Sequence, residues 1–207
     1  MSVGRTVLRL AARVKAELRS AIVEEQVDCI VPAAGNSVRM GSWKPVLPFG
    51  DSTIVQTVVT AALDVCSRVV LVTGYRGAEL AVLFKRDRRV LPVENQSWQQ
   101  GMFSSIRIGA LQVRTDRFFV TLGDMPWITA AMYSALLRHE KADVVFPEHA
   151  GMRGHPVLFH GRVRDAIASA DPVRGSMRAI AESFRVSELH WPDDAVLRDI
   201  DTEEDFR

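Results

Sequence analysis

Residues 27–44 read VDCIVPAAGNSVRMGSWK. The first nine, VDCIVPAAG (27–35), form a short apolar run of the kind shown by a strand buried on both faces. The run stops at Gly35. A polar loop follows, with a second glycine at Gly41 and two cations, Arg39 and Lys44. The next periodic stretch, DSTIVQTVVTAALDV (51–65), is helical, with Asp51 or Ser52 placed to cap it. A buried strand, a glycine-bearing basic loop and a helix together set the chain's architecture.

The same alternation continues. RVVLVTG (68–74) reads as a second buried strand and GAELAVLFKRD (77–87) as a helix. RRVLPVEN (88–95) is a strand, GMFSSIRIGALQV (101–113) a helix, RFFVTLGD (117–124) a strand, TAAMYSALLRHEK (129–141) a helix and ADVVFPE (142–148) a strand. Repeated strand–helix units predict a Rossmann-like α/β fold, with an open, mostly parallel sheet and helices on both faces. Beyond residue 150 the order is less regular: PVLFH (156–160), two short helices within 163–184, then FRVSELHWP (184–192). Residues 5–25, RTVLRLAARVKAELRSAIVEE, carry apolar groups at three- and four-residue steps opposite a basic face, which predicts an extra N-terminal helix. The domain reading is a helical extension over 1–26 and one domain over 27–207.

Composition narrows the function. Of 207 residues, Lys plus Arg number 26 and Asp plus Glu 25, so no basic excess points to nucleic acid. Aromatic residues make up only 7%, too few for a base-stacking platform. No apolar stretch approaches the ~20 residues that span a membrane. Cys29 and Cys66 lack metal-type spacing and read as buried thiols in a reducing, cytoplasmic setting. His139, His149, His160 and His190 show no ligand spacing.

In an open parallel sheet, ligands bind beyond the carboxyl ends of strands. A loop there with glycines, an arginine fork and a lysine suits a polyphosphate. Neither the Walker pattern nor GxGxxG is present. Asp124 ends the strand RFFVTLGD, where Gly123 lets the chain turn, and is placed to bind Mg²⁺ together with substrate phosphates.

Five stretches, taken in order, carry a resemblance. PAAGNSVRMGSWKPVLPFG (32–50), ENQSWQQGMFSSIRIGAL (94–111), LGDMPWIT (122–129), RGHPVLF (153–159) and RDIDTEEDF (198–206) resemble motifs of the nucleotidyltransferase superfamily in its molybdenum-cofactor branch, the molybdenum cofactor cytidylyltransferases. The resemblance covers most of residues 28–207. The extension at the N-terminus lies outside it, Glu203 stands where the family commonly has proline, and Trp43 and Trp127 are bulky for positions near a pterin.

The resemblance implies Mg²⁺-dependent transfer of CMP from CTP to a molybdopterin-type acceptor, with release of pyrophosphate and a molybdenum hydroxylase as downstream partner. It implies that Arg39 and Lys44 hold the triphosphate, within a loop that includes Ser37, Met40 and Gly41. Ala33, Ala34 and Gly35 lie under the base, and the AAG triplet favours the cytidine nucleotide over the guanosine one. Thr73, Gly74, Gly101, Ser104 and Ser105 complete the base and ribose wall, or, for the two serines, cap the helix they begin. Asp124 and Asp199 hold the metal, with Asp201 a rival that alternatively caps a terminal helix near Thr202. His155 faces the acceptor. Met125, Trp98 and Trp127 pack around the cleft mouth. The competing readings are a guanylyltransferase, a methylerythritol-phosphate cytidylyltransferase, a sugar-phosphate nucleotidyltransferase, or a non-catalytic carrier of the cofactor.

Overall fold

In the computed structural model, described over residues 25–37, 42–139, 142–202 and 205, the chain alternates strands and helices in the order its apolar pattern dictates. Strand β1 (Asp28–Pro32) leads into a short hairpin, β2 (Pro48–Phe49) and β3 (Ser52–Thr53), and then helix α1 (Ile54–Leu63). There follow β4 (Arg68–Thr73), α2 (Gly77–Leu83), β5 (Val90–Glu94), α3 (Met102–Ala110), β6 (Arg117–Val120), α4 (Ala130–Arg138), β7 (Val144–His149), β8 (Met152–Arg153), β9 (Val157–His160), α5 (Gly161–Ser169), α6 (Met177–Glu182) and β10 (Val186–His190). The N-terminal helix expected over 5–25 falls almost wholly on residues outside those described.

The main sheet runs β10-β7-β9-β6-β1-β4-β5, with β8 attached to β7. β1, β4, β5 and β6 are parallel, and β10 is parallel to β7. β9 lies antiparallel to both β6 and β7. The sheet is therefore mostly parallel, with its one internal reversal in the PVLFH segment that broke the regular order of the sequence.

Side chains alternate across this sheet because successive residues of a strand point to opposite faces. Cys29 and Val31 of β1, Val69 and Leu71 of β4 and Phe119 of β6 join one core with α1 and α4. Ile30, Val70, Val72, Phe118 and Val120 join the other with α3, α5 and α6. Both faces are covered, which is why these strands read as continuous apolar runs.

Two expectations shift at the elements that matter for the site. Helix α1 begins at Ile54, not near 51, because Ser52 and Thr53 pair with Phe49 and Pro48 across Gly50, whose φ of +58° suits glycine. The cap is then Thr53, whose side-chain oxygen accepts from the Gln56 N–H. Strands β1 and β6 end earlier than the apolar runs, at Pro32 and Val120, so that 33–37 and 121–124 leave the sheet as loops side by side.

Candidate active site

The carboxyl ends of β1, β4, β5 and β6 meet at one edge of the sheet. The Thr121 N–H donates to the Ile30 carbonyl and the Gly123 N–H to the Pro32 carbonyl, which carries the pairing just past both strand ends. A Cβ on Gly123 would sit 3.0 Å from the Pro32 carbonyl oxygen and 3.1 Å from the Ala33 Cβ. A side chain at this position would make the segment leading to Asp124 and the Pro32–Ala33 backbone give by a few tenths of an ångström. On the other side, the Tyr75 N–H donates to the Ala34 carbonyl, and Gly74 abuts both Ala34 and Trp98. Ala33 and Ala34 are buried while Gly35 is exposed.

Lys44 is the buried cation of the site. Its backbone N–H donates to the Ser37 hydroxyl oxygen at 3.2 Å. Its ammonium lies 2.7 Å from Asp201 Oδ1 and 3.6 Å from Asp124 Oδ2. The carboxylates of Asp124, Asp199 and Asp201 bring one oxygen each to within 4.8 Å of one another. Such a set of hard oxygen donors fits a divalent cation of the Mg²⁺ type, which takes carboxylates together with substrate phosphates. The Lys44 ammonium, a compact positive charge, meets two of the three. Desolvation raises the pKa of Asp124 above the ordinary carboxylate value; Lys44 opposes that rise, and Asp199 and Asp201 add to it. A second positive charge among these oxygens would therefore be favourable.

Asp199 and Asp201 each bring a carboxylate oxygen to this cluster, so the geometry does not favour one over the other as a candidate metal ligand. The Asp205 carboxylate accepts from the backbone N–H groups of Asp201 and Thr202. Of the helix expected from Thr202, residues 203, 204, 206 and 207 lie outside those described.

Other residues singled out by the sequence take several positions. Arg39, Met40 and Gly41 lie outside the described residues. Thr73 is buried against Gly77, and its carbonyl accepts from the Asn95 N–H. Gly101 precedes α3 with φ +99°. Ser104 and Ser105 are buried and each accepts from the Asn95 side-chain amide at 2.9 Å; Ser104 also donates to the Gly101 carbonyl at 2.7 Å. Their hydroxyls thus tie α3 to the end of β5, and the residue that joins them is Asn95. Asn95 was not foreseen as a site residue, although its signal was present: an amide at the end of an apolar strand, inside one of the ordered motifs. Trp43 packs in the core beneath its loop, with the Arg76 guanidinium 4.5 Å above its ring. Trp127 stands edge-on to Phe49, and the Arg198 guanidinium lies 4.1 Å over its ring. Both tryptophans are therefore packing groups. So is Met125, buried in the same core as Trp43.

His155 lies apart from the carboxylates. It lines a cavity of about 690 Å³ whose walls include Val120, Leu122, Met102, Ile106 and Phe146, with Arg153 and Arg178 also lining it. Burial lowers the His155 pKa, and the Val120 carbonyl, 3.4 Å from Nδ1, partly offsets this. Val120 and Leu122 belong to the segment that delivers Asp124. The cavity therefore adjoins the carboxylate cluster along one strand end.

A loop after the first strand, an aspartate just past the end of a neighbouring strand and a cavity beside them suit a nucleotide-transferring enzyme. Comparison with known proteins agrees. The model of the MobA-like NTP transferase domain matches residues 29–188. The chain belongs to this family and is a nucleotidyltransferase. It is 33% identical over 180 residues to an Escherichia coli K12 protein named molybdenum cofactor cytidylyltransferase, a match spanning 87% of this chain and 93% of that one. A Mycobacterium tuberculosis H37Rv crystal structure superposes with a TM-score of 0.74 at 24% identity, covering 87% of this chain and 96% of the other. The same mycobacterial protein crystallised in complex with manganese gives a TM-score of 0.71 at 23% identity, with the same shares of the two chains covered. These two structures share the fold. No helix among the described residues is long and apolar enough to cross a membrane.

Proposed function

We propose that the protein transfers CMP from CTP to the terminal phosphate of a molybdopterin-type acceptor and releases pyrophosphate. The observation that supports this most is the convergence of Lys44, Asp124, Asp199 and Asp201 beside the Ala33-Ala34-Gly35 loop, with an adjoining cavity of a size suited to a pterin. An acceptor phosphate oxygen attacks the α-phosphorus in line with the bond to the β-phosphate. The new P–O bond forms as that bond breaks, and its electron pair leaves on pyrophosphate. The nucleophile is already an anion, so no side chain needs to remove a proton. Alignment and charge neutralisation remain.

Lys44 neutralises the leaving pyrophosphate, with Arg39 as its partner in the same loop. Ala33, Ala34 and Gly35 let backbone come close to the base, and Ser37 fixes the Lys44 backbone. Asn95, through Ser104 and Ser105, holds the corner that walls the nucleotide. Mg²⁺, bound by Asp124, Asp199 and Asp201, would supply positive charge to the phosphate oxygens. The largely apolar cavity around His155 receives the pterin, with Arg153 and Arg178 to meet its polar groups. We take residues 27–207 as the catalytic unit and 1–26 as an appendage. The product's destination on this reading is a molybdenum hydroxylase, and the buried thiols Cys29 and Cys66 suit work in the cytoplasm.

Thermal unfolding with CTP, GTP, UTP or ATP, each with and without Mg²⁺, tests the nucleotide half. A ligand at about 100 times its Kd adds roughly 2.7 kcal/mol. The expected result is a Mg²⁺-dependent shift largest for CTP and lost in Asp124→Asn. A larger shift for GTP would move the assignment to guanylyl transfer, and no shift with any nucleotide would sink it.

A further inference from the structure

The segment from Val196 to Asp201 leaves a short 3-10 turn, Asp194–Val196, and crosses the site as a strap outside the sheet, and two apolar residues fasten it. Val196 is fully buried; its carbonyl accepts from the His155 N–H at 2.8 Å. A Cβ on Gly154 would fall 2.2 Å from that carbonyl oxygen, so the strap lies directly on the Gly154–His155 backbone. Four residues on, Ile200 is also fully buried. It packs with Ile54 at the start of α1 and with Leu47, Phe49 and Trp127. Its N–H donates to the Asp124 carbonyl at 3.0 Å. Arg198, between the two anchors, lies over the Trp127 ring.

Ile200 is flanked by the two aspartates of the carboxylate cluster. Both aspartates reach Asp124 only while the residue between them keeps its place, since a slip of one residue would put an aspartate in the apolar pocket that Ile200 fills and move the backbone bond to Asp124. The Ile200 side chain has a pocket of its own, and the single backbone hydrogen bond to Asp124 sits on the same residue. We propose that Ile200 is the positioning residue of the metal site: its burial fixes the register that brings Asp199 and Asp201 onto Asp124. This rests on the cluster being a divalent-cation site, as the proposed function holds. Ile200, fully buried in its apolar cluster, has no side-chain atom able to bind a cation. Its effect passes through its neighbours, as supporting groups around metal ligands do, and the loss of such groups typically weakens metal binding by about 10–100-fold.

The test uses the full chain and measures Mn²⁺ binding directly, by the electron paramagnetic resonance signal of free Mn²⁺, alongside the thermal midpoint. Four proteins are compared: native, Ile200→Ala, Ile200→Val and Ile167→Ala. Ile167 is equally buried, in the core on the other face of the sheet, and serves as a cavity control. The expected outcome is that both alanine variants lose thermal stability, but only Ile200→Ala binds Mn²⁺ at least about tenfold more weakly. Ile200→Val keeps the β-branched plug and should recover affinity to within about threefold. Native affinity in a folded Ile200→Ala would overturn the positioning role, as would an equal affinity loss in Ile167→Ala. Failure of the native protein to bind Mn²⁺ at all would instead overturn the cation site beneath it. Should Ile200→Ala not fold, Ile200→Thr keeps the branched shape and puts a hydroxyl in the apolar pocket. It must then show the selective Mn²⁺ loss.

Discussion

Replacing Lys44 by Met keeps the apolar stem and removes the ammonium. The lysine side chain is 10% exposed, against 30% for Asp124 and 40% for Asp201. Two unit charges about 4 Å apart in surroundings of intermediate polarity attract by roughly 4 kcal/mol. Water reaching the aspartates reduces this, and fully exposed pairs contribute only about 0.2–1 kcal/mol. A value between the two, about 2 kcal/mol, is the expected loss, because the change also leaves three carboxylates facing one another without the nearby cation. For a chain of this length each kcal/mol moves the midpoint by roughly 2–4 °C, so Lys44→Met should melt about 4–8 °C lower in chelator. Millimolar Mn²⁺ should restore most of that deficit by supplying the missing charge to the same oxygens. The assay is thermal unfolding of native and variant protein, each with EDTA and with Mn²⁺. An equal deficit in both solutions would refute the reasoning, since it would mean that Lys44 and the cation do not share the carboxylates.

Two further outcomes follow from the same geometry. His155 has a pKa held below its ordinary 6.5, chiefly by burial. The unfolded chain therefore takes up a proton that the fold resists. Stability from this group is fully present above about pH 6.5 and is lost as pH falls through the lower folded value. Urea midpoints compared at about pH 7.5 and about pH 5 should fall less on acidification in His155→Gln than in the native protein, and an equal fall would remove His155 as the cause. Asn95→Leu removes two buried amide donations and leaves the Ser97 N–H without its acceptor, Asn95 Oδ1. A cost of roughly 2–4 kcal/mol in urea unfolding is expected, and under about 1 kcal/mol would show that the serines find other partners.

Much of this was legible in the chain. Strands β1, β4 and β6 announced themselves because burial on both faces makes them unbroken apolar runs, and the helices between them by their three- and four-residue steps. The reversal of β9 was not legible: PVLFH identifies a strand but carries no information about its direction. The start of α1 lies beyond Asp51 and Ser52 because Ser52 pairs with Phe49 in the hairpin, which leaves the cap to Thr53. Asp124 could be found from its place just past the end of β6, and Lys44 from the basic loop that follows β1. Asp199 and Asp201 could not be separated, because each brings a carboxylate oxygen within 4.8 Å of Asp124. Ser104 and Ser105 read as nucleotide contacts or as helix caps; their shared tie to Asn95, fully buried between strand and helix, had no signal in their spacing.

The central claim is nucleotidyl transfer at Lys44 and the aspartate cluster, and pyrophosphate release measures it most directly. Native protein is incubated with CTP, Mg²⁺ and molybdopterin carrying its terminal phosphate, beside Asp124→Asn and beside reactions with GTP. The account predicts Mg²⁺- and acceptor-dependent pyrophosphate from CTP, much less from GTP, and a loss of at least about a hundredfold in the variant. Native protein that releases no pyrophosphate from any nucleotide in the presence of the acceptor, or Asp124→Asn that releases it at the native rate, would contradict the account.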